Sequence, residues 1–135
     1  MFMTRMSRVI KFLILFFCFL NISAGVWAKT EGKLYIKRTT INLRAINKDT
    51  LIRHFDIEFE NRGHVNLKIT KVIPDCDCTT VTYNRKALLP KGKDKIMVEV
   101  NLTGFLPGEI EKEIAVYSNS SEKPIIVTIK GDIIY

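Results

Sequence analysis

The octapeptide RHFDIEFE, at residues 53–60, alternates apolar and polar side chains. Successive side chains of a β-strand point to opposite faces of the sheet, so this period of two predicts a strand with one buried face. Phe55, Ile57 and Phe59 would then lie in the core, and the polar residues between them would face water. The sequence Asn61-Arg62-Gly63-His64 follows at once and is typical of the turn that ends a strand.

The same alternation recurs along the rest of the chain, with turn sequences between the repeats. Proline, glycine, serine and asparagine collect at residues 90–93, 107–108 and 118–121, which indicates turns. About seven short strands in roughly 100 residues predict an all-β fold, an antiparallel immunoglobulin-like β-sandwich. The predicted strands are residues 34–38 (extending towards residue 43), 53–60, 67–73, 80–83, 96–102, 110–116 and 125–134.

Residues 1–28 have the features of a secretory signal peptide. Arg5, Arg8 and Lys11 supply a basic start, and residues 12–20 form an unbroken apolar run. Val26 and Ala28 place small or branched residues at the −3 and −1 positions that signal peptidase reads, so we expect cleavage after Ala28. The alternative is an uncleaved anchor, but the apolar run is far shorter than the roughly 20 residues that span a bilayer. The predicted organisation is therefore a signal peptide, 1–28, followed by one domain, 29–135.

Removal of this segment changes the charge balance and the cysteine count. The 135-residue chain has 21 basic and 14 acidic residues, a net charge of +7. The segment holds three of the basic residues and none of the acidic ones, which leaves 18 against 14, or +4. It also holds Cys18, which we interpret as an ordinary apolar residue of the signal. We therefore expect no nucleic-acid partner, no membrane span after cleavage, and a location in the periplasm or at the cell surface.

One motif stands apart from the strand pattern: Asp75-Cys76-Asp77-Cys78-Thr79 follows a predicted strand. In order along the chain, the motif and its companions resemble the exported bacterial family called domain of unknown function 1573, over roughly residues 40–133. That family usually has glycine where Asp77 stands. The resemblance implies an immunoglobulin-like fold similar to the domains of major sperm protein and pilus chaperones, an envelope location, and no known activity. The companion motifs are Asn61-Arg62-Gly63, Leu89-Pro90-Lys91-Gly92, Pro107-Gly108, Ser118-Asn119 and Ile129-Lys130-Gly131-Asp132.

Cys76 and Cys78 have three interpretations. The first is structural: two small buried thiols, or a disulfide that fixes a turn. Alternate α-carbons of an extended strand lie roughly 6.6 Å apart, at the upper end of the disulfide range, so a bridge requires a bend. The second is a redox pair, because a short-ring disulfide exchanges easily. Asp75 and Asp77 argue against it, since their charge disfavours the attacking thiolate.

The third interpretation is a metal site. Two thiolates suit copper or zinc, but a closed zinc site needs four ligands. The candidates are Cys76 and Cys78 with His64, whereas His54 and Met97 are expected to be ordinary strand side chains. We therefore predict no bound metal.

The residues that common enzymes require are missing from the sequence. No serine lies in a Gly-x-Ser-x-Gly elbow, and the glycines are scattered rather than gathered in a phosphate loop. We predict no catalytic residues and no cofactor. The sequence favours a non-catalytic binding or structural module of the cell envelope whose partner is another envelope protein. The alternative is a thiol-based redox or copper- or zinc-handling protein that uses Cys76 and Cys78.

Overall fold

The computed structural model describes residues 32–135. The predicted signal peptide, residues 1–28, lies outside this range. Within residues 32–135, no helix is long and apolar enough to cross a lipid bilayer. The elements in this range are β1 (Leu34–Ile36), β2 (Thr40–Ile46), a 3₁₀ helix (Lys48–Thr50), β3 (Ile52–Asn61), β4 (Ile69–Pro74), β5 (Thr79–Tyr83), β6 (Lys93–Asn101), β7 (Gly108–Ser118) and β8 (Ser121–Ile133).

The eight strands form two four-stranded sheets, which confirms the predicted β-sandwich. The order in sheet 1 is β1-β3-β6-β5, and the order in sheet 2 is β2-β8-β7-β4. Ile57 and Phe59 are buried in the core as predicted, and Phe55 packs against it half-buried. The strands that face them contribute buried aliphatic side chains at every second position, such as Ile114 and Val116 of β7. The alternation in the sequence therefore corresponds to the inner and outer faces of the sheets.

The first predicted strand is two strands in the structure. β1 pairs antiparallel with β3 in sheet 1, whereas β2 pairs parallel with β8 in sheet 2. The chain thus changes sheets between Ile36 and Thr40, which adds a strand to the expected seven and one parallel pair to an otherwise antiparallel fold. Leu34 and Leu43 are both buried, because both sheets direct their apolar side chains towards the same core. Alternation alone therefore could not reveal the change of sheet.

The strand predicted over residues 67–73 begins later and ends later, as β4. Leu67 lies outside it and forms an isolated bridge with Leu88. The last strand, β8, lies between β7 and β2, so it is hydrogen-bonded on both sides. Val127 and Ile129 of β8 are buried on its inner face, whereas Ile126 on its outer face is 41% exposed, so a central position in the sheet does not bury both faces of the strand.

Asn61, the last residue of β3, is fully buried and has its whole side-chain hydrogen-bonding capacity filled. Its Oδ1 accepts hydrogen bonds from the backbone N–H of Lys33, at 3.2 Å, and of Gly63, at 2.9 Å. Its Nδ2 donates to the carbonyl oxygens of Val65, at 2.8 Å, and Leu88, at 2.9 Å. A side-chain amide has two donors and two acceptor sites, so none is left unsatisfied in the core. Asn61 therefore connects the start of β1, the turn after β3 and the backbone at Leu88.

The backbone of Asn61 binds a second turn, at residues 89–92. Its N–H donates to the carbonyl oxygen of Gly92 at 3.0 Å, and its carbonyl oxygen accepts from the N–H of Lys91 at 2.8 Å. A Cβ at Gly92 would lie 2.7 Å from Cδ1 of Leu88 and 2.8 Å from the carbonyl oxygen of Leu89, so this position requires glycine. The Asn-x-Gly and Leu-Pro-x-Gly motifs therefore meet at one point, although they lie far apart in the sequence.

Replacement of Asn61 by alanine would remove four hydrogen bonds and leave three part-buried backbone groups, on Lys33, Gly63 and Val65, without this partner, whereas the carbonyl oxygen of Leu88 keeps its bond from the N–H of Leu67. Each such group costs about 1–3 kcal/mol unless water reaches it, so we expect Asn61→Ala to lower the free energy of unfolding by about 3 kcal/mol or more. The matched control is Asn84→Ala, because the exposed Asn84 accepts a single hydrogen bond from Lys86 and its loss should cost less than about 1 kcal/mol. Urea denaturation measures both. Equal effects of the two substitutions would contradict this role of Asn61.

Candidate functional site

The predicted Cys76-Asp77-Cys78 motif forms the turn that takes the chain from sheet 2 to sheet 1. β4 ends just before it and β5 begins just after it. A disulfide joins Cys76 and Cys78, whose Cα atoms lie 5.1 Å apart. The N–H of Thr79 donates to the carbonyl oxygen of Cys76 at 3.0 Å and closes the turn. This bend brings the two Cα atoms closer than the roughly 6.6 Å of an extended strand.

Backbone hydrogen bonds fix the turn to both sheets. The N–H of Asp75 donates to the carbonyl oxygen of Glu113 in β7, at 2.9 Å. The carbonyl oxygen of Cys78 accepts from the N–H of Asn101 in β6, at 2.8 Å. These bonds do not involve the sulfur atoms, so backbone hydrogen bonds, which we call the backbone frame, hold the turn independently of the disulfide.

The surroundings of the disulfide are partly open to solvent. Cys76 and Cys78 are both half-buried, whereas Asp75 and Asp77 are exposed. The Sγ of Cys78 lies 3.7 Å from Oγ1 of the buried Thr79. In the disulfide form neither sulfur is a thiolate, so the pair offers no ligand to a metal until it is reduced.

The structure does not bring His64 to the cysteines. His64 lies in the turn that precedes β4, and the cysteines lie in the turn that follows β4, so the length of a strand separates them. Both of the chain's histidines are exposed. Within residues 32–135, no three His, Cys, Asp or Glu side chains lie close enough together to hold a metal ion.

The outer face of sheet 1 is a solvated surface with cross-strand ion pairs. His54 lies there with its Nδ1 3.6 Å from a carboxylate oxygen of Glu99. Asp56 accepts a hydrogen bond from the Nζ of Lys95 at 2.8 Å, and this bond raises the pKa of Lys95. Met97, on the same face, is 47% exposed. Such open ion pairs contribute little to stability, and they do not form a pocket from which water is excluded.

Three of the four sheet edges carry features that prevent pairing with another strand. Short length, irregular register, lysine and proline are the usual devices. β1 is three residues long. β2 has an irregular register at Arg44, whose φ is 59°. β4 has an irregular register beside Lys71 and ends at Pro74.

The fourth edge, β5, is five residues long and has no lysine, no proline and no irregular register. Its sequence is Thr79-Thr80-Val81-Thr82-Tyr83, with no charged residue and no proline, in a chain that is 26% charged. It pairs with β6 without a register shift, and among residues 32–135 it has no strand on its other side. We call this free side the β5 edge. The sequence predicted a short strand here, and its lack of charge was the one signal of an exposed edge that the sequence contained.

The backbone groups that face the β5 edge follow from the hydrogen bond between Cys78 and Asn101. In an antiparallel ladder, residues that bond to the neighbouring strand alternate with residues whose N–H and C=O point away from it. Because Cys78 bonds to β6, Thr80 and Thr82 do so as well, whereas Val81 and Tyr83 direct their N–H and C=O groups to the free side. The side chains of Thr80 and Thr82 are exposed. The β5 edge therefore offers an unpaired backbone row without a charged side chain beside it.

A family model described as a protein of unknown function, DUF1573, matches residues 34–133. No match to a curated protein was found. The resemblance noted in the sequence motifs therefore agrees with a family match over the whole sandwich.

Solved structures with the same fold come from several sources. A protein of unknown function from Porphyromonas gingivalis W83 has a TM-score of 0.63 and 18% identity over 75% of this chain, which spans 46% of that protein. The PapD-like domain 7 of human CEP192 has a TM-score of 0.61 and 13% identity, with 78% of this chain and 87% of that domain covered. The periplasmic chaperone SfaE has a TM-score of 0.54 and 10% identity, with 75% and 57% covered. These similarities show a shared PapD-like, immunoglobulin-like fold.

Removal of the disulfide should destabilise the domain only modestly. The ring closed by Cys76 and Cys78 contains three residues, and the loop-entropy model gives about 1.5 kcal/mol for a ring of that size. We expect the Cys76→Ser/Cys78→Ser variant to stay folded and to lose about that much free energy of unfolding in urea. Reductant should bring the wild type to the value of the variant and leave the variant unchanged. A variant that unfolds in buffer would show that the disulfide, and not the backbone frame, holds the turn.

Proposed function

This chain belongs to the DUF1573 family of proteins of unknown function, and we propose that it is an exported, non-catalytic binding module of the bacterial cell envelope. The observation on which this proposal rests is the β5 edge, which in the described residues 32–135 is the one sheet edge without lysine, proline, irregular register or a length of only three residues. Its partner is an envelope protein, which contributes an extended segment as an added strand.

Strand addition fits the groups that the β5 edge presents. Val81 and Tyr83 supply backbone donors and acceptors to the free side, and an extended segment of any sequence can pair with them. Specificity would come from side chains that lie beside Thr80 and Thr82 on the outer face. The PapD-like fold of a periplasmic chaperone supports a binding role in this compartment for this chain as well.

A second candidate function is thiol chemistry at Cys76 and Cys78, either disulfide exchange or copper or zinc binding after reduction. The position of the disulfide in a half-buried surface turn favours it. The exposed Asp75 and Asp77 weigh against a reactive thiolate. Thiol titration with metal analysis of the purified protein tests this candidate. One equivalent of bound copper or zinc, lost in Cys76→Ser, would support it, and two unreactive sulfurs without metal would remove it.

Export should leave a mature protein that begins at Lys29. Intact-mass measurement on protein from the envelope fraction should show the loss of residues 1–28. Ala28→Glu should block processing, because signal peptidase requires a small residue before the cut, whereas Lys29→Gln should be processed normally. Full-length protein in the cytosol would contradict export.

The β5 edge should contact its partner in the envelope. A photoreactive amino acid at Thr82 should yield a discrete crosslinked product in envelope preparations. The matched control is Thr40, an exposed strand threonine at an edge of the other sheet, which should yield none. Val81→Pro should abolish the product, because proline lacks the N–H that Val81 directs to the free side.

A second block distinguishes loss of pairing from loss of packing. Thr80→Lys places a charge on the exposed face of β5 and removes no core contact, so it should also abolish the product. Equal products from Thr82 and Thr40, or a product that survives both blocks, would overturn the proposal. A product lost in the folded Cys76→Ser/Cys78→Ser variant but kept in Val81→Pro would favour the thiol candidate instead.

A further inference from the structure

Charged residues of opposite sign lie at the two ends of β5. Asp75 and Asp77 precede the strand, and Arg85 and Lys86 follow it, and all four are exposed. The guanidinium of Arg85 lies 5.7 Å from the centre of the Tyr83 ring, so this charge stays close to the end of the strand. β5 is thus a neutral strand with a negative start and a positive end.

We infer that the strand that pairs with the β5 edge is β5 of a second copy of this chain, aligned antiparallel. The inference rests on the proposed function and names its partner. A two-fold symmetric contact requires a surface that complements itself. An antiparallel copy places the negative start of one strand beside the positive end of the other. A parallel copy would place like charges together, and like charges opposite each other destabilise a strand pair.

The backbone geometry selects the register. Val81 directs both its N–H and its C=O to the free side, so two copies of Val81 can exchange both hydrogen bonds across a two-fold axis. With the axis at Val81, Thr79 lies opposite Tyr83 of the second copy, and Thr80 lies opposite Thr82. Beyond the paired strands, the turn that holds Asp77 then lies at the same end of the contact as Arg85 of the second copy. The hydrogen bonds and the charges therefore favour the same antiparallel arrangement.

The outer face of the pairing is compatible with self-association. Opposed threonines on adjacent strands form favourable cross-strand pairs, and the two copies place Thr80 and Thr82 side by side. Two sheets joined at β5 make one continuous eight-stranded sheet. A contact of five residues per copy is small, so the association belongs to the weak class, with a dissociation constant on the order of 0.1 mM.

Sedimentation velocity over a concentration series tests the inference on protein purified after export. The wild type should shift from monomer to dimer as its concentration passes the dissociation constant. Arg85→Asp should weaken the association about tenfold, because it places two acidic groups together at both ends of the contact. Asp77→Arg should weaken it to a similar extent. The double variant Asp77→Arg/Arg85→Asp should recover the wild-type constant to within about threefold, because it restores opposite charges with their positions exchanged.

The controls separate this inference from the proposed function. Arg38→Asp reverses an exposed arginine outside β5 and should leave the association unchanged. Val81→Pro and Thr80→Lys should both abolish dimers. A monomer at all concentrations, an unaffected Arg85→Asp variant, or a double variant that fails to recover would each overturn self-pairing. If self-pairing fails but Thr82 still crosslinks to a different envelope protein, the proposed function stands, and if Thr82 yields no product at all, both fail.

Discussion

The hydrogen bonds of the buried Asn61 side-chain amide are the interaction on which one end of this sandwich depends. Its four hydrogen bonds join three parts of the chain: Lys33 just before β1, the turn after β3 at Gly63 and Val65, and Leu88. Its backbone binds the turn at residues 89–92 at the same point. A polar group in this position is tolerated only when every donor and acceptor is satisfied, so the arrangement admits little variation. One end of the sandwich is therefore fixed by polar contacts within the core.

The opposite end is closed by a different device, the cysteine turn that connects the two sheets. Asp75 bonds to β7 and Cys78 bonds to β6, so the turn links the sheets through its backbone. A three-residue ring removes little entropy from the unfolded chain, so the disulfide adds to a frame that already exists. Because this turn leads directly into β5, it also sets which residues of that strand face outward. Because Cys78 bonds to β6, the turn determines that the N–H and C=O groups of Val81 and Tyr83 point to the free side of β5.

The strands and their inner faces could be predicted from alternation, because burial of one face leaves a direct trace in residue type. Phe55, Ile57 and Phe59 illustrate this. The lateral order of strands leaves no such trace: Leu34 and Leu43 point into one core from two sheets, so the change of sheet between them could not be seen. Asn61 resembles any turn asparagine in the sequence, since burial of a polar side chain is decided by partners distant along the chain.

Comparison of the four sheet edges supports a binding role for the β5 edge. A sandwich has four edges, and this chain protects β1 by shortness, β2 by irregular register, and β4 by lysine, irregular register and proline. A chain that protects three edges by separate means and leaves the fourth regular and neutral resembles one whose fourth edge is used. The charges at the two ends of β5 restrict that use further. These charges favour a second copy of β5 that binds antiparallel and disfavour one that binds parallel. The β5 edge therefore selects the direction of the strand that pairs with it.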